Sequence, residues 1–130
     1  MPGKLGFNAE LTNGKNKFMK VQLELYKFKE NDIHIIYCPS LDLSACGETD
    51  ADVKKAFGEI LTIHINYCIQ ENTFIKDLQK HGWLIQKEKQ RGIKAPTTEM
   101  LLSKSKTLKD IIYNKEYEKV SEYVEMPELI

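Results

Sequence analysis

The chain has 130 residues, of which 42% are hydrophobic and 29% charged, a composition typical of one globular domain with a buried core. Its 19 basic and 19 acidic residues cancel to a formal charge of zero, which excludes the long-range positive field that most nucleic-acid-binding proteins use. Three cysteines without a CxxC pair, no signal-peptide core and no bilayer-length apolar run predict a cytoplasmic protein with free thiols.

Alternating apolar and polar residues predict an antiparallel sheet in the first part of the chain. Residues 5–11 alternate, and Asn13 and Gly14 form the dipeptide typical of a tight hairpin turn. The segment FMKVQLELYKF then supplies a second strand, and residues 33–37 a third, which Pro39 ends because it has no amide donor. Residues 40–47 form a loop that has room for a short fourth strand.

A long helix is expected next, because Thr49 or Asp50 can cap it and apolar residues recur at helical spacing. The residues on this face are Val53, Ala56, Phe57, Ile60, Leu61, His64 and Cys68. Residues 61–69 also alternate as a strand would. The helix is the preferred interpretation because its register starts earlier and follows a cap.

The rest of the chain predicts shorter elements. Asn72 or Thr73 can start a second helix that Gly82 ends, and residues 83–85 indicate a brief strand. Residues 86–94 are charged and have the composition of a linker or exposed ribbon. Thr107 can cap a further short helix, and an extended stretch precedes Pro127.

These elements predict an α+β fold, an antiparallel three- to four-stranded sheet packed against one long and one short helix, with a C-terminal extension. Residues 1–85 are expected to form the domain, with its core at 18–85, and residues 86–130 a linker and tail that packs on the domain or on a partner.

The candidate chemical groups do not form a recognisable active site in sequence. His64 lies on the apolar stripe of the long helix, where a core or interface role is favoured over a ligand role, and the helix dipole at a C-terminus explains His81. Cys46 could pair with either histidine only through folding. Since no metal-ligand motif or phosphate loop occurs, we predict a non-enzyme without a metal or cofactor.

Two segments could contact a partner. The basic residues of the linker lack interleaved aromatic residues, so a solvated linker is favoured over a nucleic-acid site. The acidic tail carries a series of tyrosines, which offer apolar contact area at low entropy cost, although packing on their own domain would explain them equally well. The candidate partner interface comprises Tyr113, Tyr117, Glu118, Glu122 and Tyr123.

The stretch IHIIYCPSLDLSACGETDADVKKAF resembles the signature of HicB-like antitoxins, a strand ending in proline and leucine, a loop, a glycine, an acidic residue, threonine and an amphipathic helix. The matching positions are Pro39, Leu41, Gly47, Glu48, Thr49 and Ala56. The resemblance covers residues 18–85. It implies a truncated RNase H-like arrangement without that enzyme's acidic catalytic set, pairing with a small RNA-cleaving HicA-type toxin, and self-association as a dimer or higher oligomer.

The chain departs from the family pattern in three places. Val53 stands where the family usually has alanine, Asp42 to Ala45 replace the usual glycine and cysteine, and the N-terminal hairpin strand is extra. Neither a helix-turn-helix nor a ribbon-helix-helix module fits residues 86–130, so DNA binding is not predicted. The leading hypothesis is a toxin-binding antitoxin module, and the alternatives are an orphan homo-oligomeric scaffold and, third, a small enzyme or nucleic-acid binder.

Overall fold

The computed structural model describes residues 18–86 and 92–127, which contain six strands and four helices. In chain order these are β1 (Phe18–Glu30), β2 (Ile33–Cys38), β3 (Leu43–Gly47), α1 (Asp50–Gln70), α2 (Phe74–Lys80), β4 (Leu84–Gln86), β5 (Gly92–Lys94), α3 (Thr98–Lys104), α4 (Lys106–Asn114) and β6 (Tyr117–Pro127). The predicted N-terminal strand, its Asn13 and Gly14 turn, and residues 87–91 of the linker lie outside the described residues.

Four of the strands form one antiparallel sheet in the order β3, β2, β1, β6. Strand β1 pairs with β2 over residues 26–30 and with β6 along its whole first part, from Phe18 opposite Pro127 to Phe28 opposite Tyr117. Strands β4 and β5 pair separately as a small antiparallel ribbon. The predicted α+β fold, with an antiparallel sheet packed against one long and one short helix, is confirmed.

Helix α1 forms where the sequence predicts it. Thr49 has an extended backbone, and its Oγ1 accepts a hydrogen bond from the amide of Asp52 at 3.0 Å, which satisfies one of the free first-turn donors. One face of the helix is then buried against the sheet, as helical periodicity requires. The buried side chains are Val53, Phe57, Leu61, Ile65 and Cys68. Ile63 and Tyr67, which produced the competing strand pattern, are exposed instead.

Helices α1 and α2 are each followed by a residue with a positive φ angle, at which the chain turns sharply. After α1, Asn72 has φ 58°, its amide donates to Ile69 and the amide of Thr73 donates to Cys68. After α2, Gly82 has φ 95°, and the amide of Trp83 donates to the main-chain oxygen of Leu78, five residues earlier, in the same pattern. These are Schellman motifs. Asn72 therefore ends the first helix, and Thr73 precedes the second without a side-chain cap bond.

The sheet lies between two helical layers. We call the side that faces α1 and α2 the inner face, where the central strands place Leu23, Leu25 and Ile36. Trp83 belongs to the same core, and its indole Nε1 donates to the main-chain oxygen of Ser40 at 2.7 Å. The opposite, outer face carries a second apolar cluster, formed by Tyr26, Tyr37, Leu108 and Ile111.

Helices α3 and α4 cover this outer face and are capped by different residues from the one predicted. Thr97 caps α3 by accepting from the amide of Met100, and Ser105 caps α4 by accepting from the amide of Leu108. The prediction that Thr107 caps a helix here is wrong, because Thr107 lies inside the first turn of α4. The helix α3 was not predicted, since it buries no residue and so lacks a clear apolar period.

Candidate functional site

The polar groups best placed for chemistry lie where the C-terminal part of α1 packs against α2. His64 Nε2 is 2.8 Å from Asp77 Oδ2, and both side chains are only partly exposed. The short connection after α1 places Asp77, one turn into α2, opposite His64. A carboxylate can only accept, so the His64 ring donates this bond through Nε2.

Cys68 completes this group, because it lies one helical turn after His64. Its Sγ is 3.8 Å from the same ring nitrogen, Nε2, and the donor atoms of His64, Cys68 and Asp77 all lie within 4.8 Å of one another. Burial raises the pKa of the Cys68 thiol, and the negative charge of Asp77 raises it further. The thiol is therefore held in its protonated, weakly nucleophilic form.

This geometry does not correspond to a thiol, imidazole and carboxylate catalytic triad. In such a triad the acid binds one ring nitrogen and the nucleophile binds the other. Here Asp77 and Cys68 approach the same nitrogen of His64, so a proton held toward Asp77 prevents that nitrogen from accepting the proton of Cys68. We name His64, Cys68 and Asp77 the helix-junction cluster.

His81 lies beside this cluster and has a structural role. Its Nδ1 is 2.8 Å from the main-chain oxygen of Asp77 and 3.7 Å from the carboxylate Oδ2. Since a main-chain oxygen accepts, Nδ1 carries the donated proton. His81 thus caps the end of α2 through the carbonyl one turn earlier, as expected for a histidine at a helix C-terminus.

The pairing of Cys46 with a histidine, considered from the sequence, does not form. Cys46 is exposed on β3, and its neighbour Ala45 is buried in the inner core. Adjacent strand residues point to opposite faces, so Cys46 points to the outer face, away from α1. Sequence reasoning therefore missed that Cys68 is the cysteine near His64. Their spacing of four residues on one helix carried that signal, but both were interpreted as core.

The residues that carry the resemblance lie between the end of β2 and the second turn of α1. Leu41 is buried in the inner core, and Pro39 follows directly after β2. A Cβ atom at Gly47 would lie 2.6 Å from the main-chain nitrogen of Val53, closer than real Cβ contacts, so only glycine fits where the first turn of α1 touches β3. Glu48 is exposed, and Ala56 packs against the edge of the core.

Four of the five residues of the candidate partner interface are divided between the two faces of β6, and the fifth, Tyr113, lies on α4. Tyr117 and Tyr123 point to the outer face and are 40% and 60% exposed, and Tyr113, at the end of α4, is 73% exposed. Glu118 and Glu122 point to the inner face, where Glu122 is 7% exposed and Glu118 is exposed. The tyrosines are accessible to a partner, and the Glu122 side chain is largely covered.

A cavity of about 240 Å³ opens on the outer face beside β1. Its lining includes Gln22, Glu24, Pro39 and Thr98. The carboxylate of Glu24 is paired with the ammonium group of Lys119 at 2.7 Å, so the acidic charge in its wall is already compensated. We assign this cavity no chemistry.

Neither a family model, nor a curated protein, nor a solved structure matches the chain. Within residues 18–86 and 92–127, no helix is both long enough and apolar enough to cross a membrane.

Proposed function

We propose that the chain is a non-catalytic, cytoplasmic protein-binding module of the HicB-like antitoxin type, which neutralises a small RNA-cleaving HicA-type toxin by covering its surface. The observation that carries this proposal is the exposure of Tyr113, Tyr117 and Tyr123 on and beside strand β6. Exposed tyrosines combine a large apolar area with a hydroxyl group, and they are enriched in protein interfaces.

The position of β6 supports the proposal. Within the part of the chain that the structure describes, β6 pairs with β1 on one side and is the last strand of the sheet on the other. Edge strands have main-chain donors and acceptors available for another chain, and the side chains of alternate residues then determine which chain fits. On β6 those alternate outer-face residues include Tyr117, Lys119 and Tyr123.

The composition around β6 also suits a basic partner. Five glutamates fall within residues 116–128, against two lysines at 115 and 119. Both lysines are already engaged in ion pairs, Lys115 with Glu30 and Lys119 with Glu24. The exposed carboxylates of the strand can therefore attract the basic surface that a protein binding RNA requires, which raises the rate of association.

The test uses the product of the reading frame next to the one encoding this chain. We expect that product, when purified, to degrade RNA, and the chain to form a complex with it and to stop the degradation. If the two proteins form no complex, or if the complex still degrades RNA at the rate of the free enzyme, the proposed function is wrong.

Paired variants test the surface. Replacing Tyr123 and Tyr117 by alanine removes two large outer-face side chains of β6, and truncation of interface tyrosines typically costs about 2 kcal/mol or more at a central position. We expect at least a tenfold loss of toxin affinity. Tyr67→Ala is the matched control, because Tyr67 is 61% exposed on α1, beyond the other face of the sheet. An affinity loss confined to Tyr67→Ala would place the interface on α1 instead.

The second candidate is a homo-oligomeric scaffold that uses the same edge strand without a toxin. Strand β6 spans Tyr117–Pro127, and unpaired edges of this length readily pair with a second copy. Light scattering over a concentration series separates the two functions. A dimer or larger oligomer that persists, together with no effect on RNA cleavage, would favour the scaffold, whereas a monomer at every concentration would remove it.

A further inference from the structure

We propose that the helix-junction cluster binds a divalent transition-metal ion of the zinc type, with His64 Nε2, Cys68 Sγ and Asp77 Oδ2 as ligands. The three donor atoms come from two helices and lie within 4.8 Å of one another. Imidazole nitrogen, thiolate sulfur and carboxylate oxygen are the ligand types of protein zinc sites.

The convergence of the atoms on one point argues for an ion. Both Asp77 Oδ2, at 2.8 Å, and Cys68 Sγ, at 3.8 Å, approach the same lone-pair position of His64, Nε2. A single proton on Nε2 can be shared with only one of them. A metal ion in the place of that proton can bond to all three atoms at once.

The separations of the donor atoms, of which none exceeds 4.8 Å, have to change before they fit such an ion. With bonds of about 2.0 to 2.3 Å and tetrahedral angles, ligand atoms of a zinc site are about 3.4 to 3.6 Å apart. The nitrogen to sulfur distance of 3.8 Å is near this value, and the nitrogen to oxygen distance of 2.8 Å has to open by roughly half an ångström. Rotation about the side-chain bonds of Asp77 provides that change.

The ligand arrangement follows from the helices. His64 and Cys68 are four residues apart on α1, so their side chains lie one above the other on the same face. Asp77 is presented by α2, and the Schellman motif between the helices fixes its approach. Since His64 and Asp77 are partly exposed, water can take the fourth position. The bound ion would join α2 to α1 and oppose their separation.

Binding requires the thiol of Cys68 to lose its proton, because the thiolate is the ligand. The positive charge of a bound ion favours the thiolate, as it does for any coordinating thiol. Each ion bound therefore releases at least one proton to the buffer. This release can be measured independently of any activity.

The experiment titrates the full chain, freed of metal by a chelator and kept reduced, with Zn²⁺ in a calorimeter and with Co²⁺ in a spectrophotometer. We expect one ion per chain, a heat that changes with the ionisation enthalpy of the buffer, and a sulfur-to-cobalt charge-transfer band in the near ultraviolet. We also expect Zn²⁺ to raise the melting temperature, since it binds the folded chain.

Two variants test the ligands Cys68 and Asp77, and a third serves as a control. Cys68→Ser should remove the charge-transfer band. Asp77→Asn should weaken Zn²⁺ binding by more than about 100-fold, because even residues that only orient a ligand cost 10 to 100-fold. Cys46→Ser is the matched control and should retain both, as Cys46 lies on the opposite side of the sheet.

Far-ultraviolet circular dichroism shows whether each variant is folded. If Cys68→Ser does not fold, Asp77→Asn still tests the site, because it keeps the size of the side chain. The absence of saturable binding of one ion by the wild-type chain would overturn the proposal. So would a charge-transfer band that survives Cys68→Ser and disappears in Cys46→Ser.

Discussion

The hydroxyl group of Tyr37 links the sheet to the helical layer on its outer face, and its removal in Tyr37→Phe tests that link. The phenol donates to Asp42 Oδ1 at 2.8 Å, and its oxygen is 3.2 Å from the Oγ of Ser105, the residue that caps α4. Because the phenol proton is committed to the carboxylate, Ser105 donates to Tyr37. The change to phenylalanine removes both bonds and leaves the ring in place.

Burial raises the pKa of Tyr37 from 10.0 to about 12, and its hydrogen bond to Asp42 acts in the same direction. The protonated phenol is thus favoured in the folded chain. The stability contributed by Tyr37 is fully present below pH 10.0, the pKa of the phenol in the unfolded chain. It is lost as the pH rises through about 12, the pKa in the folded chain. Two pKa units correspond to about 3 kcal/mol, an upper value for this loss.

Urea unfolding followed by the fluorescence of Trp83, the single tryptophan, measures this effect across the alkaline range. At pH 7 we expect Tyr37→Phe to lower the free energy of unfolding by about 1 kcal/mol, the usual net value of a hydrogen bond. Above about pH 10 the variant should lose less stability than the wild type. Tyr113→Phe, at an exposed tyrosine, is the control and should behave as the wild type.

Cys38 is fully buried and its pKa is raised to about 11, so it adds an alkaline loss that both proteins share. The difference between the two curves therefore isolates Tyr37. Equal alkaline slopes for Tyr37→Phe and the wild type would refute the reasoning.

Three further changes test the inner core. Gly47→Ala brings a Cβ within 2.6 Å of the nitrogen of Val53 and should lower the free energy of unfolding by about 1 to 3 kcal/mol in urea titrations, while Cys46→Ala on the same strand stays within about 0.5 kcal/mol. Trp83→Phe leaves a buried carbonyl without its 2.7 Å donor, a loss of about 1 to 3 kcal/mol by circular dichroism; an unchanged midpoint would contradict that bond. Burial raises the pKa of Glu122 above 4.5, so its carboxylate lowers stability as the pH rises through the folded-state value. Glu122→Gln should raise the melting temperature at pH 7, and this gain should vanish below about pH 4; a gain that persists in acid would exclude the ionised carboxylate as its cause.

The elements with a strong local signal could be predicted from the sequence. Thr49 followed by a helical apolar stripe specified α1, and alternation specified the inner residues of β1. Helix α3 was missed because it buries no residue, and the cap of α4 was placed at Thr107 although Ser105, two residues earlier, is an equally suitable cap by residue type. The contact of Ser105 with Tyr37, on a distant strand, cannot be read from a short window of sequence.

The helix-junction cluster shows the same limit for a candidate site. His64 and Cys68 were placed together on one helical face, but Asp77 belongs to the next helix. Its distance from His64 depends on how α1 ends and how tightly the chain turns, and that is decided by the positive φ of Asn72. Asparagine tolerates this conformation without requiring it, so the turn could not be read from the sequence alone.

The pairing of β6 with β1 has a consequence for synthesis on the ribosome. The two strands are roughly a hundred residues apart in sequence, and they form the longest ladder of the sheet. During synthesis the edge of β1 that pairs with β6 stays unpaired until β6 has been made. Until then the apolar residues of β1 can contact other nascent chains. Slower elongation, or early release of the chain before β6 emerges, should therefore increase the demand for chaperones.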